Sequence, residues 1–281
     1  MGCHATECGM TQVPMDDGLE MPDVGAWAKR KYHFLSRYLT LFSTGMKNKW
    51  RERHFIDLFA GAGLARLRNK DEVVLTSSLI AADMKDPFTF IHSCDANASN
   101  CSALTARLQK IRAATTFRVI QGDANDRIDE ILKPVPTRGA LCVTLADPFG
   151  LHLNFATVEK IGKLNSDLII LLADNMDAVR NWSAYYAANP SSNLDRFMGE
   201  PGWRDHFAKS PSDKLAQSFR TRYQERLKSV GYSHFDSCQV QNDDGRDIYS
   251  LLYASRSPVG LSFWQKAQSV DEHGQRGLFG E

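Results

Sequence analysis

The sequence predicts an α/β protein in which a mainly parallel sheet is covered by helices on both faces. Three observations predict it. Short apolar runs at residues 54–59, 89–94, 117–121, 140–146 and 167–173 each end at a glycine or an aspartate. Segments with apolar residues at helical spacing lie between them, at 98–111, 124–132 and 154–164. Towards the C-terminus the alternation gives way to two strand-like runs, 232–241 and 248–255, around Asn242-Asp243-Asp244-Gly245. Strands that alternate with helices build parallel sheets buried on both faces, and two strands joined by a short Asp-Gly turn build an antiparallel hairpin.

Each element follows in order. Residues 1–25 are polar, contain Pro14 and Pro22 and show no periodicity, so they read as a flexible arm ahead of a single domain spanning 26–281. Tyr32, Leu35, Leu39 and Phe42 then follow helical spacing and predict a helix over 26–42. A basic link, Lys47-Asn48-Lys49-Trp50-Arg51, leads into the first strand. After the fifth strand, residues 175–228 interrupt the pattern as an insertion with Arg180-Asn181-Trp182, Tyr185-Tyr186, Trp203 and a helical stretch over 215–227. Such aromatics and arginines suit base stacking and phosphate contacts, although most Trp and Tyr residues simply pack. Five parallel strands plus a terminal antiparallel hairpin is the strand inventory of Rossmann-like class I methyltransferases. A doubly wound dehydrogenase more often closes with a sixth parallel strand.

Composition narrows the classes. A chain of 281 residues with 43% hydrophobic and 24% charged residues can bury a sizeable core without staples. The longest purely apolar run, 168–173, is far short of the ~18 residues a membrane helix needs, and no signal peptide pattern opens the chain. The six cysteines fit no disulfide framework, which points to reduced thiols in a cytoplasmic protein. Cys3, His4 and Cys8 lack a second ligand pair, so no metal site is expected. Gly2 with Thr6 formally fits a myristoylation pattern, but one too short and common to carry weight. The net charge of +1 conceals a basic block. Residues 29–70 hold eleven Lys or Arg against Glu52 and Asp57 alone, which is either an electrostatic footprint for nucleic acid or a solvated helix face with its loop.

The chemistry sits at strand ends. Asp57-Leu58-Phe59-Ala60-Gly61-Ala62-Gly63 closes the first strand, where glycines let the backbone approach a ligand and turn sharply into a helix whose N-terminus offers free N–H groups. A dinucleotide fingerprint needs a third glycine, and position 66 is Arg. An acid four residues before the first glycine suits the ammonium of S-adenosylmethionine, whose methionine end needs less room than a pyrophosphate. Asp95 ends the second strand, where an acid accepts from ribose hydroxyls. Asp123 with Ala124 follows the third, where an acceptor can take the exocyclic amine of adenine. Each acid alone is more often a helix cap or turn residue. Their joint placement at successive strand ends favours a ligand site, because open α/β sheets bind ligands there. Asp147-Pro148-Phe149-Gly150 ends the fourth strand and resembles the (Asp/Asn)-Pro-Pro-(Tyr/Phe) motif of amino-methyltransferases, with the second proline missing. There the acid and a proline-held carbonyl hold a target NH2 while the aromatic ring stacks on a base.

As an ordered set, these residues resemble the three-Cys-motif partner (TcmP) family of bacterial methyltransferase-like proteins, over nearly the whole chain from about Trp27. The likeness runs through Trp27, Lys31-Tyr32, the 57–63 run, Gly122-Asp123-Ala124-Asn125, Asp147-Pro148-Phe149-Gly150-Leu151 and Arg180-Asn181. It closes on Tyr249-Ser250-Leu251-Leu252-Tyr253-Ala254-Ser255 with Gly260 and Phe263-Trp264. Relatives often read Gly-Ser-Pro where this chain has Thr76-Ser77-Ser78, which leaves Ser77 a weak site candidate. The resemblance implies a neighbouring radical S-adenosylmethionine-like protein that carries the three cysteines.

Two functions follow as expectations. The first is an S-adenosylmethionine-dependent methyltransferase acting on an amine of a nucleic-acid base. Asp147, Pro148 and Phe149 would serve as its catalytic residues, with Asp57, Phe59, Gly61, Gly63, Asp95, Asp123 and Ala124 around the cofactor. The second is a non-catalytic or regulatory partner subunit of the three-Cys-motif protein. A nicotinamide-dependent oxidoreductase is disfavoured by the absent third glycine and the terminal hairpin.

Overall fold

The computed structural model describes residues 16–269 apart from 69, 112–114, 190, 242–244 and 246. The Cys3, His4 and Cys8 cluster, the Gly2 pattern and most of the expected hairpin turn therefore lie outside the described residues.

Strands β1 (Asp23–Val24) and β2 (Glu52–Asp57) flank helix α1 (Trp27–Met46), and β3 (Leu64–Leu67), β4 (Val73–Leu75) and α2 (Ser77–Ala82) follow. The alternating core is β5 (Phe90–Asp95), α3 (Ala98–Lys110), β6 (Thr116–Gln121), α4 (Ala124–Leu132), β7 (Ala140–Ala146), α5 (Phe155–Ile161) and β8 (Ser166–Leu172). Two π-helical turns (Asp174–Val179 and Trp182–Tyr186), α6 (Asn193–Met198), α7 (Trp203–Ala208), a short 3₁₀ turn and α8 (Leu215–Ser229) form the insertion. Strands β9 (His234–Gln241) and β10 (Asp247–Ser255) and helix α9 (Pro258–Gln268) close the chain. No described helix is long and apolar enough to cross a membrane.

The seven-stranded sheet has the order β6-β5-β2-β7-β8-β10-β9. Strands β6, β5, β2, β7 and β8 are parallel, and β10 runs antiparallel to both β8 and β9. This is the expected set of five parallel strands with an antiparallel terminal pair. Successive side chains on a strand point to opposite faces, and the core follows that rule. In β8, Leu168, Ile170 and Leu172 face one core with α4, α5 and the insertion. Ile169 and Leu171 face the other, with α1, α2, α3 and α9. Both faces are covered, which is why the parallel strands read as continuous apolar runs.

The insertion is largely a packing element. Phe197, Trp203, Phe207, Phe219 and Tyr223 are buried together against the sheet. Tyr185 stays exposed.

Two sequence expectations change. Residues 16–25 are part of the fold rather than a free arm. Strand β1 pairs with β3, and the buried Arg107 guanidinium donates to both Asp17 carboxylate oxygens (2.9 and 2.6 Å) and to the Glu20 carbonyl (2.8 Å). The glycine run also does not turn straight into a helix. It enters β3, which pairs antiparallel with β4 in a small sheet completed by β1, and the helix starts only at Ser77. The β-branched Val73-Val74 favour a strand there, and β3 is fixed by pairing with β4 and β1.

Candidate active site

Strand order reverses at β2, which has β5 on one side and β7 on the other. The carboxyl ends of β2 and β7 therefore border the crevice where open α/β sheets take ligands. Asp57 ends β2 and Asp147 follows β7 by one residue.

Asp57 is fully buried. Its Oδ2 accepts from the Ser77 hydroxyl at 2.5 Å and the Ser78 hydroxyl at 2.7 Å, both from the first turn of α2. Its Oδ1 is buried and no side chain donates to it, while the Phe59 N–H lies near the carboxylate and helps to lower its pKa. Burial raises the Asp57 carboxyl to about 6; the serine donors pull it down and the charge of Asp147 adds to the rise. Ser77 thus has a contact that the sequence supported only weakly.

The glycine loop is tethered at several points. Gly61 N–H donates to Asp95 Oδ2 at 2.8 Å, Ala60 N–H to the Cys94 carbonyl at 2.9 Å, and Arg107 to the Ala62 carbonyl at 2.6 Å. Gly61 (φ +63°) has nothing within 4 Å of where a Cβ would stand, so its backbone lines open space. Gly63 (φ +89°) would press a Cβ to 3.0 Å from Leu79 and Leu104, so its bare Cα is needed for packing. Phe59 is partly buried against the core face shared with α4 and α5.

Asp95 and Asp123 each carry a local structural duty. Asp95 Oδ1 accepts from the Asn97 N–H (2.9 Å) and the Asn100 amide (3.0 Å). Asp123 caps α4, its Oδ1 accepting from Asn125 N–H (2.7 Å) and Asn125 Nδ2 (2.9 Å). Asp123 is otherwise exposed, and Ala124 is buried behind it. Gly122 N–H donates to the Asp95 carbonyl at 3.0 Å, which joins the ends of β5 and β6.

The 147–150 turn separates its residues sharply. Asp147 has 13% of its side chain exposed, Pro148 is buried, and Phe149 is 86% exposed. Asp147 Oδ2 accepts from the Lys31 ammonium, itself only 8% exposed. The Lys31 nitrogen lies 4.4 Å from the Tyr32 ring centre and 5.3 Å from that of Trp27. Burial alone would lower the Lys31 pKa, but the Asp147 carboxylate and the Tyr32 hydroxyl hold it above its ordinary value. Tyr249 packs edge-on against Trp27 at 5.0 Å, and its buried hydroxyl has no hydrogen-bond partner.

The structure thus brings Asp57, Gly61, Gly63 and Asp95 into one loop assembly, and sets Asp147 at the neighbouring strand end. Sequence reasoning quoted Lys31 without giving it a site role. Its signal was a lone lysine on the apolar stripe of α1, in register with Trp27 and Leu35.

No protein-family model matches the chain, and no curated protein matches it. Solved structures do share its fold. Protein LPL1258 from Legionella pneumophila str. Philadelphia 1, family-model DUF519, has a TM-score of 0.50 at 8% identity, over 89% of this chain and 95% of that one. The O-methyltransferase from Bacillus cereus in complex with SAH has 0.45 at 12% identity, over 78% and 80%. M. jannaschii TYW2 in complex with AdoMet has 0.44 at 10% identity, over 80% and 74%. At such identities the likeness concerns the fold alone: a mostly parallel α/β sheet with helices on both faces.

Proposed function

We propose that the chain is an S-adenosylmethionine-dependent methyltransferase acting on nucleic acid. One observation carries the cofactor: the buried Asp57 carboxylate keeps acceptor capacity on Oδ1, four residues before a glycine whose side-chain position is open. A buried acceptor short of donors is costly, and an ammonium brought by a ligand lowers that cost. When bound, S-adenosylmethionine supplies an electrophilic methyl group on a sulfonium. Asp57 would take its ammonium, Gly61 and Gly63 would give it room, and Phe59 would flank it. The second lone pair of Asp95 Oδ2 would take a ribose hydroxyl, and Asp123 beside Ala124 would take the adenine amine.

Asp147 would hold the acceptor and the exposed Phe149 would stack on a nucleotide base. The amine acceptor expected from the sequence rests on the likeness of Asp147-Pro148-Phe149 to the amino-methyltransferase motif. Nucleic acid is supported by the exposed basic residues Arg30, Lys49, Arg51, Arg66, Arg68 and Lys70. Lys29 and Lys47 are instead engaged with Glu72 (2.7 Å) and Asp86 (3.0 Å). A bacterial, cytoplasmic setting goes with this reading, and the described cysteines Cys94, Cys101, Cys142 and Cys238 are free thiols.

The test is a calorimetric titration of the purified chain with S-adenosylmethionine and, separately, NAD. Micromolar binding of the first and none of the second is expected, and the reverse sinks the proposal. The resemblance to the TcmP family supports a second reading, a partner subunit of a three-Cys-motif radical enzyme. Occupation of Asp147 by the chain's own Lys31 is the observation that favours it. Co-purification with that enzyme, without methyl transfer to RNA, DNA or protein, would select it.

A further inference from the structure

We propose that the buried Lys31–Asp147 pair fits a hydroxyl oxygen as the methyl acceptor, with Lys31 the residue that makes the choice. This rests on the methyl-transfer reading above and revises the acceptor atom expected from the sequence.

The argument is one of lone pairs. Asp147 Oδ2 is bound to Lys31, while no described hydrogen bond holds Oδ1. The Lys31 ammonium carries three N–H donors. Asp147 takes one and the Tyr32 side chain lies beside the ammonium, which leaves at least one N–H on a nitrogen bound to that same carboxylate. The pair therefore presents one donor and one acceptor side by side. A neutral amine has a single lone pair, which must face the methyl carbon, so a neighbouring N–H donor competes for the nucleophile itself. A hydroxyl oxygen has two lone pairs. One can accept from Lys31 while the other attacks, and its O–H can donate to Asp147 Oδ1.

The step balances. The acceptor oxygen forms a bond to the methyl carbon as the carbon–sulfur bond breaks, and that bond's electron pair goes to sulfur. The hydroxyl proton passes to Asp147 Oδ1 and then to water. The Lys31 charge offsets the negative charge that develops on oxygen, beside the Trp27 and Tyr32 rings and largely out of water, where such an interaction is strong. Lys31 is held protonated here, so it serves as a donor and not as a base. Among nucleic acids, RNA alone offers a hydroxyl at every nucleotide. The substrate class is therefore RNA, modified on ribose, with Phe149 against the adjoining base.

The experiment incubates the full chain with S-adenosylmethionine carrying a deuterated methyl group and total cellular RNA or genomic DNA. The nucleic acid is digested to nucleosides, and tandem mass spectrometry places the label on sugar or base. Label on ribose in RNA and none in DNA is expected. Label on a base, or in DNA, overturns the hydroxyl assignment and leaves the transferase reading standing. No label in either, with S-adenosylmethionine bound by calorimetry, overturns the transferase reading and the assignment with it. Lys31→Met should bind S-adenosylhomocysteine within about threefold of wild type yet lose about 100-fold in transfer, with Lys31→Arg recovering a tenth or more. A folded Lys31→Met that transfers at the full rate overturns the role of Lys31. The product analysis of the unaltered chain decides the acceptor atom even if that variant fails to fold.

Discussion

Two buried aspartates at opposite ends of the sheet differ in how completely they are satisfied. Asp167, at the start of β8, has both oxygens held. Tyr38 and Tyr253 donate to Oδ2 at 2.6 and 2.8 Å, and Ser255 donates to Oδ1 at 2.5 Å. Those donors come from α1 and β10, so Asp167 ties three elements together. Asp57, at the end of β2, has two serine donors on one oxygen, and beyond them only the nearby Phe59 N–H, so its buried Oδ1 keeps acceptor capacity. Both are raised above the ordinary carboxylate pKa, first by burial. Burial alone therefore does not mark a site. Spare acceptor capacity on a buried carboxylate at a strand's carboxyl end is the feature that separates Asp57 from Asp167.

The largest effect should come from breaking the satisfied member. Asp167→Ala removes the shared acceptor of Tyr38, Tyr253 and Ser255 in the core and should cost about 3–4 kcal/mol in urea unfolding. A loss under about 1 kcal/mol would make Asp167 dispensable and dissolve the contrast. Next comes the unsatisfied member. Asp57→Asn should weaken S-adenosylmethionine about 100-fold, the worth of a charge-assisted hydrogen bond. It should also leave melting temperature unchanged or higher near neutral pH. A folded Asp57 with a raised pKa favours its protonated form, so the stability it contributes at low pH is lost as pH rises through about 6. Unchanged affinity with a lower melting temperature would make Asp57 a structural residue like Asp167.

A third buried group sharpens the pH argument. His54 Nδ1 and His92 Nε2 lie 2.9 Å apart on neighbouring strands, and burial, then the neighbouring His54 and Arg118, push His92 down to about 4. The fold thus keeps His92 neutral while the unfolded chain protonates it near 6.5. Stability should fall by about 2 kcal/mol as pH drops from 6.5 to 4.5, and His92→Gln should flatten that part of the slope. Equal slopes for the two proteins would refute it. For Asp57 the same titration bears on the ligand: affinity for S-adenosylmethionine should fall up to about tenfold per pH unit below about 6, and Asp57→Asn should remove the dependence. Calorimetry at pH 5, 6 and 7 is the measurement. Smallest is Phe149→Ala, which should move the melting temperature by less than about 1 °C because the ring is 86% exposed, while it lowers transfer to nucleic acid.

The sheet was legible because its signal is local and repeated. Strand β7 and helix α4 fall at the residues the pattern predicts, and the other strands of the large sheet begin within two residues of it. Asp57, Gly61 and Asp95 were legible as a set for the same reason, each at a strand's carboxyl end. The β3–β4 pair was not, because its strands are too short to show a period and are fixed by pairing with β1. The docking of residues 16–25 was equally hidden, since it depends on Arg107, about 90 residues away in the chain.

By itself, then, the sequence determined the order of strands and helices, the two-sided core and the line of acids at the strand ends. Those follow from periodicity and from residue types that stop a strand. Only the tertiary structure decided which acids are satisfied. Hydrogen-bond partners such as Ser77 for Asp57, Tyr38 for Asp167 and Lys31 for Asp147 lie 20 to 129 positions apart and meet only when the sheet has formed. The acceptor chemistry depends on that last meeting. Lys31 reads along the chain as one more basic residue of a helix, and becomes a donor beside Asp147 only because α1 lies across the end of β7.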